Sequence, residues 1–212
     1  CYGMTETAPV SAQSSTSDSV EQRVGTVGRV HPHLEIKIVD EQGKVVPRGQ
    51  LGELCVRGYS VMLGYWEDHE KSGEVIDSAR WMHTGDIAEM DEAGFVKIKG
   101  RIKDVVIRGG ENLFPKEIED FLYTHPDVSD VQVIGLPDAR YGEELCACII
   151  LHEHHEITEE SIRQYCAEHI SHNKVPRYVR FFNEFPMTAS GKAQKFKLQE
   201  FMHNELDLKE IA

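Results

Sequence analysis

The chain has 212 residues, 40% of them hydrophobic and 28% charged, with a formal net charge of -13 at pH 7. That length allows one large or two modest domains, each with a buried core. No apolar run approaches the roughly 20 residues that span a bilayer, so no transmembrane segment is expected, and the acidic balance opposes wholesale docking on nucleic acid or anionic lipid. A local basic pocket can still bind phosphate in an acidic protein.

The first apolar pattern is Leu34-Glu35-Ile36-Lys37-Ile38-Val39, which alternates with period two. Asp40-Glu41-Gln42-Gly43 then supplies a turn before Leu51-Gly52-Glu53-Leu54-Cys55-Val56, so the two segments read as a half-buried antiparallel pair. A third apolar run, Val61 to Trp66, precedes a charged stretch through Asp77. The first hundred residues therefore read as short strands joined by glycine-rich and acidic turns, with no amphipathic helix.

Beyond Gly100 the pattern changes. Val105-Val106-Ile107 reads as a short strand, and Pro115 opens a helix with Ile118, Phe121 and Leu122 on one face. Val131-Gln132-Val133-Ile134 and Ala147-Cys148-Ile149-Ile150-Leu151 are buried-strand candidates. Thr158 caps a helix that aligns Ile162, Tyr165, Cys166 and Ile170. Tyr178 to Phe182 gives one more strand, and Leu198, Phe201 and Met202 repeat the helical spacing. The predicted fold class is α/β of the α+β kind, a β-rich first unit followed, beyond about Gly100, by a compact α+β domain. The junction lies near "GRIKDVVIRGGEN", where Gly100, Gly109 and Gly110 permit either a turn between strands or a hinge between domains.

Cysteines stand at 1, 55, 146, 148 and 166, an odd set without a C-x-x-C pair, which suits a reducing compartment and argues against structural zinc. An intracellular, cytoplasmic location is expected, with the mitochondrial matrix as the alternative. His152-Glu153-His154-His155 has metal-binding residue types, but such a polar run between a strand and a helix reads as a solvated turn.

Four short stretches carry chemistry. In "YGMTE", the Thr5 hydroxyl beside the Glu6 carboxylate suits a magnesium nucleotide, one bonding phosphate and the other the cation; alternatively Thr5 is a helix cap. In "HTGD", Thr84 and Gly85 form a tight turn that presents Asp86, whose carboxylate can accept hydrogen bonds from two ribose hydroxyls, unless it is an ordinary turn aspartate. Arg101 offers a planar fork of donors for ribose or phosphate oxygens, or for a surface ion pair. In "PMTASGKAQKFKL", Lys192 follows Ser190-Gly191 on a loop before the last helix, placed to neutralise phosphoryl charge or simply to be solvated.

In this order and spacing, "YGMTE", "HTGD", "GRIKDVVIRGGENLFPKEIED" and "PMTASGKAQK" resemble the AMP-forming acyl-CoA synthetases of the adenylating superfamily. The resemblance runs from Tyr2 to about Leu198, and "GELCVRGYSVMLGYW" and "VIGLPDARYGEELCACI" look like its fatty acyl branch. It implies an ATP-dependent enzyme that activates a medium- or long-chain carboxylate as acyl-AMP and transfers it to CoA, with ATP, Mg2+ and CoA required. By similarity Tyr2, Gly3, Thr5, Asp86, Arg101 and Lys192 would bind the nucleotide, Thr5 at phosphate and Asp86 at the ribose. Glu6 would bind the metal. Lys192 would bridge the carboxylate and the α-phosphate, making it, with Thr5 and Glu6, catalytic. Lys103 would be the pivot of a mobile C-terminal domain, and Gly109, Gly110 and Glu111 would line the CoA tunnel.

The departure from the family is the lack of a Ser/Thr/Gly-rich phosphate loop ending in Pro-Lys and of an acyl pocket. The resemblance thus implies a C-terminal fragment: residues 1–101 as the end of a large adenylating domain, 102–212 as the cap, and a missing N-terminal domain as partner. The alternatives are an adenylating enzyme that loads a carrier-protein phosphopantetheine, and a non-catalytic nucleotide-binding module.

Overall fold

The computed structural model describes residues 1–153, 157–189 and 191–206, which divide into two units, Cys1–Lys103 and Asp104–Ala212. No helix among the described residues is long and apolar enough to cross a membrane.

The first unit opens with a 3-10 turn, Thr5–Thr7, and a two-stranded antiparallel ribbon of β1 (Ala12–Gln13) and β2 (Arg29–Val30). Between them lies the six-residue α1 (Val20–Gly25), started by Ser19, whose hydroxyl accepts the Gln22 N–H. The main element is an antiparallel meander of β3 (Leu34–Val39), β4 (Gly52–Gly58), β5 (Met82–Met90) and β6 (Val96–Arg101), paired in that order. The alternation read at 34–39 has its expected consequence: Leu34 pairs with Gly58 and Val39 with Glu53. Ile38, Leu54, Ala88, Met90 and Val96 form one core cluster, and Val56, Val61, Ile76 and Met82 another. The β3–β4 pair also carries Lys37 and Arg57, each lying 4.5 Å from the Trp81 ring.

Two expectations for this unit fail. Val61 to Trp66 is not a strand but a run of turns and irregular backbone, and Leu63 and Trp66 are 93% and 89% exposed. Two short helices that are not amphipathic also interrupt what read as strands and turns, α1 and α2 (His69–Val75), the latter capped by Asp68. Neither buries a residue. A helix held by its cap and its own hydrogen bonds leaves no apolar stripe to read.

The second unit begins with a 3-10 turn, Ile102–Asp104, that straddles the division between the units, then a hairpin of β7 (Val106–Arg108) and β8 (Glu111–Leu113). Next come α3 (Pro115–Leu122), β9 (Val128–Asp138), β10 (Gly142–Leu151), α4 (Glu159–His169), β11 (Tyr178–Phe181) and α5 (Lys195–Glu205). β10 is central: antiparallel to β9 from Gly142↔Asp138 to Leu151↔Val128, parallel to β11, and bridged to β7 at Gly142↔Arg108.

Alternate residues of β9 and β10 feed two cores. Val131, Val133, Leu145, Ala147 and Ile149 pack with Ile118 and Leu122 of α3 and Ile162 and Cys166 of α4. Ile134, Leu136, Cys146 and Cys148 pack with Phe185 and with Leu198 and Met202 of α5. Covering both faces explains why residues 145–149 read as one continuous apolar run rather than an alternation. Thr158 caps α4 as read, accepting the Ser161 N–H at 3.1 Å. Lys195 ties the layers together, donating to Glu119 Oε1 at 2.6 Å and to the Val133 carbonyl at 3.1 Å. His154 and His155 of the histidine run, and Ser190, lie outside the described residues.

Candidate nucleotide site

Three residues read from three separate motifs meet in the first unit. The Tyr2 phenol donates to Asp86 Oδ2 at 2.5 Å, and Arg101 Nε lies 3.3 Å from Asp86 Oδ1. β5 and β6 place the second pair, because Asp86 and Arg101 are directly opposed in the ladder. Tyr2 is brought in by its own backbone: its N–H donates to the Ala12 carbonyl, and its carbonyl accepts from Ser11 and Ala12. Asp86 is buried at 7% exposure, while the Arg101 side chain is half exposed. Burial and the neighbouring Asp86 carboxylate both push the Tyr2 phenol far above its ordinary value, so it remains a donor at any physiological pH.

Asp86 does not stand on a tight turn as the sequence suggested. It stands on a bulge inside β5. Cys55 pairs with His83 but Glu53 pairs with Ile87, so Thr84, Gly85 and Asp86 together oppose Leu54. Gly85 takes φ +71° there, a conformation that other residues resist. The groups displaced from the ladder are taken up by side chains. Thr84 Oγ1 donates to the Leu54 carbonyl at 2.7 Å and accepts the Asp86 N–H at 3.2 Å, while Glu53 Oε1 accepts the Gly85 N–H at 3.0 Å.

The remaining residues of the first motif lie beside Tyr2. Gly3 is dictated by close approach, since a Cβ there would sit 1.6 Å from the Pro9 carbonyl oxygen. Thr5 is exposed and is not the cap of its turn; Met4 holds that position, and the Thr7 hydroxyl bonds both the N–H and the carbonyl of Met4. Glu6 accepts a hydrogen bond from the Tyr65 phenol at 3.0 Å, and its own carbonyl accepts the Met62 N–H. Tyr65 is a contact the sequence did not single out. Burial, then the Glu6 carboxylate, raise its phenol above the ordinary value.

The other site residues each have a local setting of their own. Lys103 lies in the exposed 3-10 turn between β6 and β7. Gly109 and Gly110, at φ +61° and +86°, are the two central residues of the β7–β8 hairpin, whose strands close with Arg108 opposite Glu111. Two positive φ angles in a two-residue loop match the twist of the strands, which is why glycine suits both positions. Glu111 accepts a hydrogen bond from Asn173 at 2.5 Å. Lys192 is exposed on a small turn: Thr188 N–H donates to the Lys192 carbonyl at 2.8 Å, Lys192 N–H to Thr188 Oγ1 at 3.0 Å, and Gly191 N–H to the Thr188 carbonyl.

The chain thus carries a β-rich unit with a Tyr-Asp-Arg cluster and an α+β unit with an exposed lysine turn. Residues 1–66 match the family model described as AMP-binding enzyme, and residues 117–192 match the AMP-binding enzyme C-terminal domain. Both ends of the chain are thus similar to AMP-binding enzymes. It is 53% identical over 208 residues to the mitochondrial medium-chain acyl-CoA ligase ACSF2 of Bos taurus, covering 98% of this chain and 34% of that protein. It is 50% identical over 200 residues to the putative acyl-CoA synthetase YngI of Bacillus subtilis (strain 168), covering 94% of this chain and 36% of that one. Among solved structures, ATP-bound MatB from Rhodopseudomonas palustris superposes with a TM-score of 0.88 at 35% identity, covering 97% of this chain and 40% of that chain. The chain therefore spans about a third of the length of the curated relatives it matches.

Proposed function

We propose that this chain serves an AMP-forming acyl-CoA synthetase, a fatty acid CoA ligase that converts a medium- or long-chain carboxylate and ATP to acyl-AMP and pyrophosphate, then transfers the acyl group to CoA. The observation that carries this reading is the convergence of Tyr2, Asp86 and Arg101 on one buried carboxylate. A carboxylate oxygen accepts more than one hydrogen bond. Asp86 can therefore hold both ribose hydroxyls of a nucleotide while Tyr2 and Arg101 fix its plane, and the half-exposed Arg101 adds positive charge on the phosphate side.

Glu6 fits a magnesium nucleotide. Mg2+ is commonly held by one or two carboxylates plus substrate phosphates, and Glu6 is half-buried with one oxygen oriented by Tyr65. When bound, the ion would neutralise phosphate charge. The exposed Thr5 hydroxyl would donate to a phosphate oxygen beside it. Lys192 would bridge the acid's carboxylate and the α-phosphate, stabilising charge as it develops. In the second half-reaction the Gly109-Gly110-Glu111 tip would line the pantetheine path, with the domain from 102 onward turning about Lys103. The domain assignment, 1–101 closing a large adenylating domain and 102–212 as its cap, belongs to the same proposal, as does an N-terminal domain supplying the acyl pocket. An intracellular setting follows from the substrates, in cytoplasm or, as the names of the vertebrate relatives have it, mitochondria.

Carboxylate-dependent exchange of pyrophosphate into ATP tests the reading on the full-length protein, with acetate, octanoate, palmitate and an amino-acid panel. Exchange with a fatty acid that vanishes in Lys192→Ala is expected. Exchange with amino acids alone would move the protein to carrier-loading chemistry, and none with any acid would leave a non-catalytic nucleotide-binding module.

A further inference from the structure

The Asp86 bulge is held open by a second pair of residues that the nucleotide itself would not touch. Glu53 Oε1 accepts the Gly85 N–H at 3.0 Å, and Glu53 Oε2 lies 2.7 Å from His83 Nδ1. An ionised carboxylate only accepts, so Nδ1 carries the proton and donates to it. On the far side of the ring, His83 Nε2 faces Asp77 Oδ2 at 3.9 Å, and Asp77 is itself fixed by Oδ1, which accepts the Ala79 and Trp81 N–H groups. Five residues thus form one chain of contacts: Asp77, His83, Glu53, Gly85 and, one residue on, Asp86. The Gly85 N–H has lost its ladder partner at the bulge, and Glu53 replaces it.

We propose that Glu53 and His83 are a positioning pair for the ribose site: His83 locks the Glu53 carboxylate, Glu53 locks the bulge, and the bulge aims Asp86. The proposal rests on the nucleotide reading above and adds two residues from β4 and β5 to it. A metal centre is the rival use of this spot, since Glu53, Cys55 and His83 bring their ligand atoms within 4.8 Å of one another. The geometry favours the positioning role. Zinc bonds of about 2.0–2.2 Å in a tetrahedral site hold N and O ligands more than about 3 Å apart, whereas His83 Nδ1 and Glu53 Oε2 are at hydrogen-bonding distance. The Cys55 thiol is also fully buried, and burial pushes it up to about 12, against the thiolate that a metal needs.

The test compares Kd for ATP with Kd for 2′,3′-dideoxy-ATP on the full-length protein and on three variants, His83→Phe, Glu53→Gln and His83→Asn. If the pair positions Asp86, His83→Phe and Glu53→Gln lose about tenfold of the preference for ATP, the scale of one lost charged hydrogen bond, while dideoxy-ATP binding and the KM for the fatty acid stay unchanged. His83→Asn, whose amide N–H can replace Nδ1–H, restores the preference. Equal weakening of both nucleotides in the variants would overturn the proposal, because general destabilisation does not distinguish them. So would a full preference retained in His83→Phe, or stoichiometric zinc in the protein that His83→Phe loses. A wild-type protein that binds neither nucleotide, or both alike, would instead overturn the ribose-site reading, and the positioning role with it.

Discussion

The Asp86 bulge and the Lys192 turn are built in opposite ways. Around Asp86 nearly every displaced polar group finds a side-chain partner, and the carboxylate is buried between Tyr2 and Arg101. Around Lys192 the turn is closed by backbone and Thr188 contacts, with Gln194 bonding Pro186 and Met187 at its base, and the lysine is exposed. A group that binds an unchanging part of a substrate gains from being fixed in advance, since orientation is then settled before binding. A group needed in only one of two half-reactions gains from being easily withdrawn. The proposed roles, ribose for Asp86 and the first-step phosphate for Lys192, follow that division.

The largest effect expected is on the lysine. Lys192→Ala should cut ATP–pyrophosphate exchange by roughly 100- to 1000-fold, largely keep thioester formation from supplied acyl-AMP, and shift unfolding by less than about 0.5 kcal/mol, as for other surface substitutions. Equal losses in both half-reactions would erase the contrast with Asp86. Lys103→Pro, which stiffens the backbone at the proposed pivot, should spare exchange and slow thioester formation by roughly tenfold, about 1.4 kcal/mol in the barrier; an unchanged second half-reaction in a coupled assay would remove the pivot.

Smaller effects test the rigidity of the bulge. Gly85→Ala forces a Cβ onto a φ of +71°, at a cost of about 1–2 kcal/mol in urea unfolding, and should also weaken the ribose preference. An alanine variant as stable as the wild type would show that the bulge relaxes freely. The smallest change, about 1 kcal/mol, is expected from raising the pH from 9 to 10. Cys55, ordinarily near 9.0, is raised to about 12, chiefly by burial and then by Glu53. Between those values the unfolded thiol is ionised and the folded one is not, so stability falls as pH rises, by up to about 1.4 kcal/mol per pH unit. The raised Tyr2 phenol adds the same sign above pH 10.0. Cys146, raised by its hydrogen bond with Cys148 and by burial, and Cys166, raised by burial to about 11, act in the same direction, so Cys55→Ala should reduce but not abolish the slope between pH 9 and 10; an unaltered slope would place the titration elsewhere.

Much of the second unit was legible because its helices bury a stripe and its strands are apolar on both faces: Ile118 and Leu122, Ile162 and Cys166, and Leu198 and Met202 all point where their spacing says. The extents of β9 and β10 were not, since Asp138, Gly142 and Glu143 continue a ladder that no alternation of apolar residues marks. In the first unit, Leu34–Val39 was legible and Val61–Trp66 misled, because apolar side chains such as Leu63 and Trp66 are exposed on turns. At the candidate site, Tyr2, Asp86 and Arg101 could be singled out by motif, but not the bulge. A bulge is a count of residues between two paired positions on different strands, and neither strand records it alone. Glu53 and His83 escaped for the same reason: each sits inside a recognisable motif, and only the β4–β5 register joins them.

The claim that Asp86 is the ribose anchor is tested most directly by a cycle of two nucleotides and two proteins, Kd for ATP and 2′,3′-dideoxy-ATP with wild type and Asp86→Asn. If Asp86 receives the ribose hydroxyls, removing them weakens wild-type binding by at least about tenfold, the scale of a hydrogen bond to a charged group, and barely affects Asp86→Asn, so the two changes are strongly non-additive. Additive losses, with the variant as sensitive to the missing hydroxyls as the wild type, would show that the ribose is held elsewhere and that the Tyr2–Asp86–Arg101 cluster is only structural.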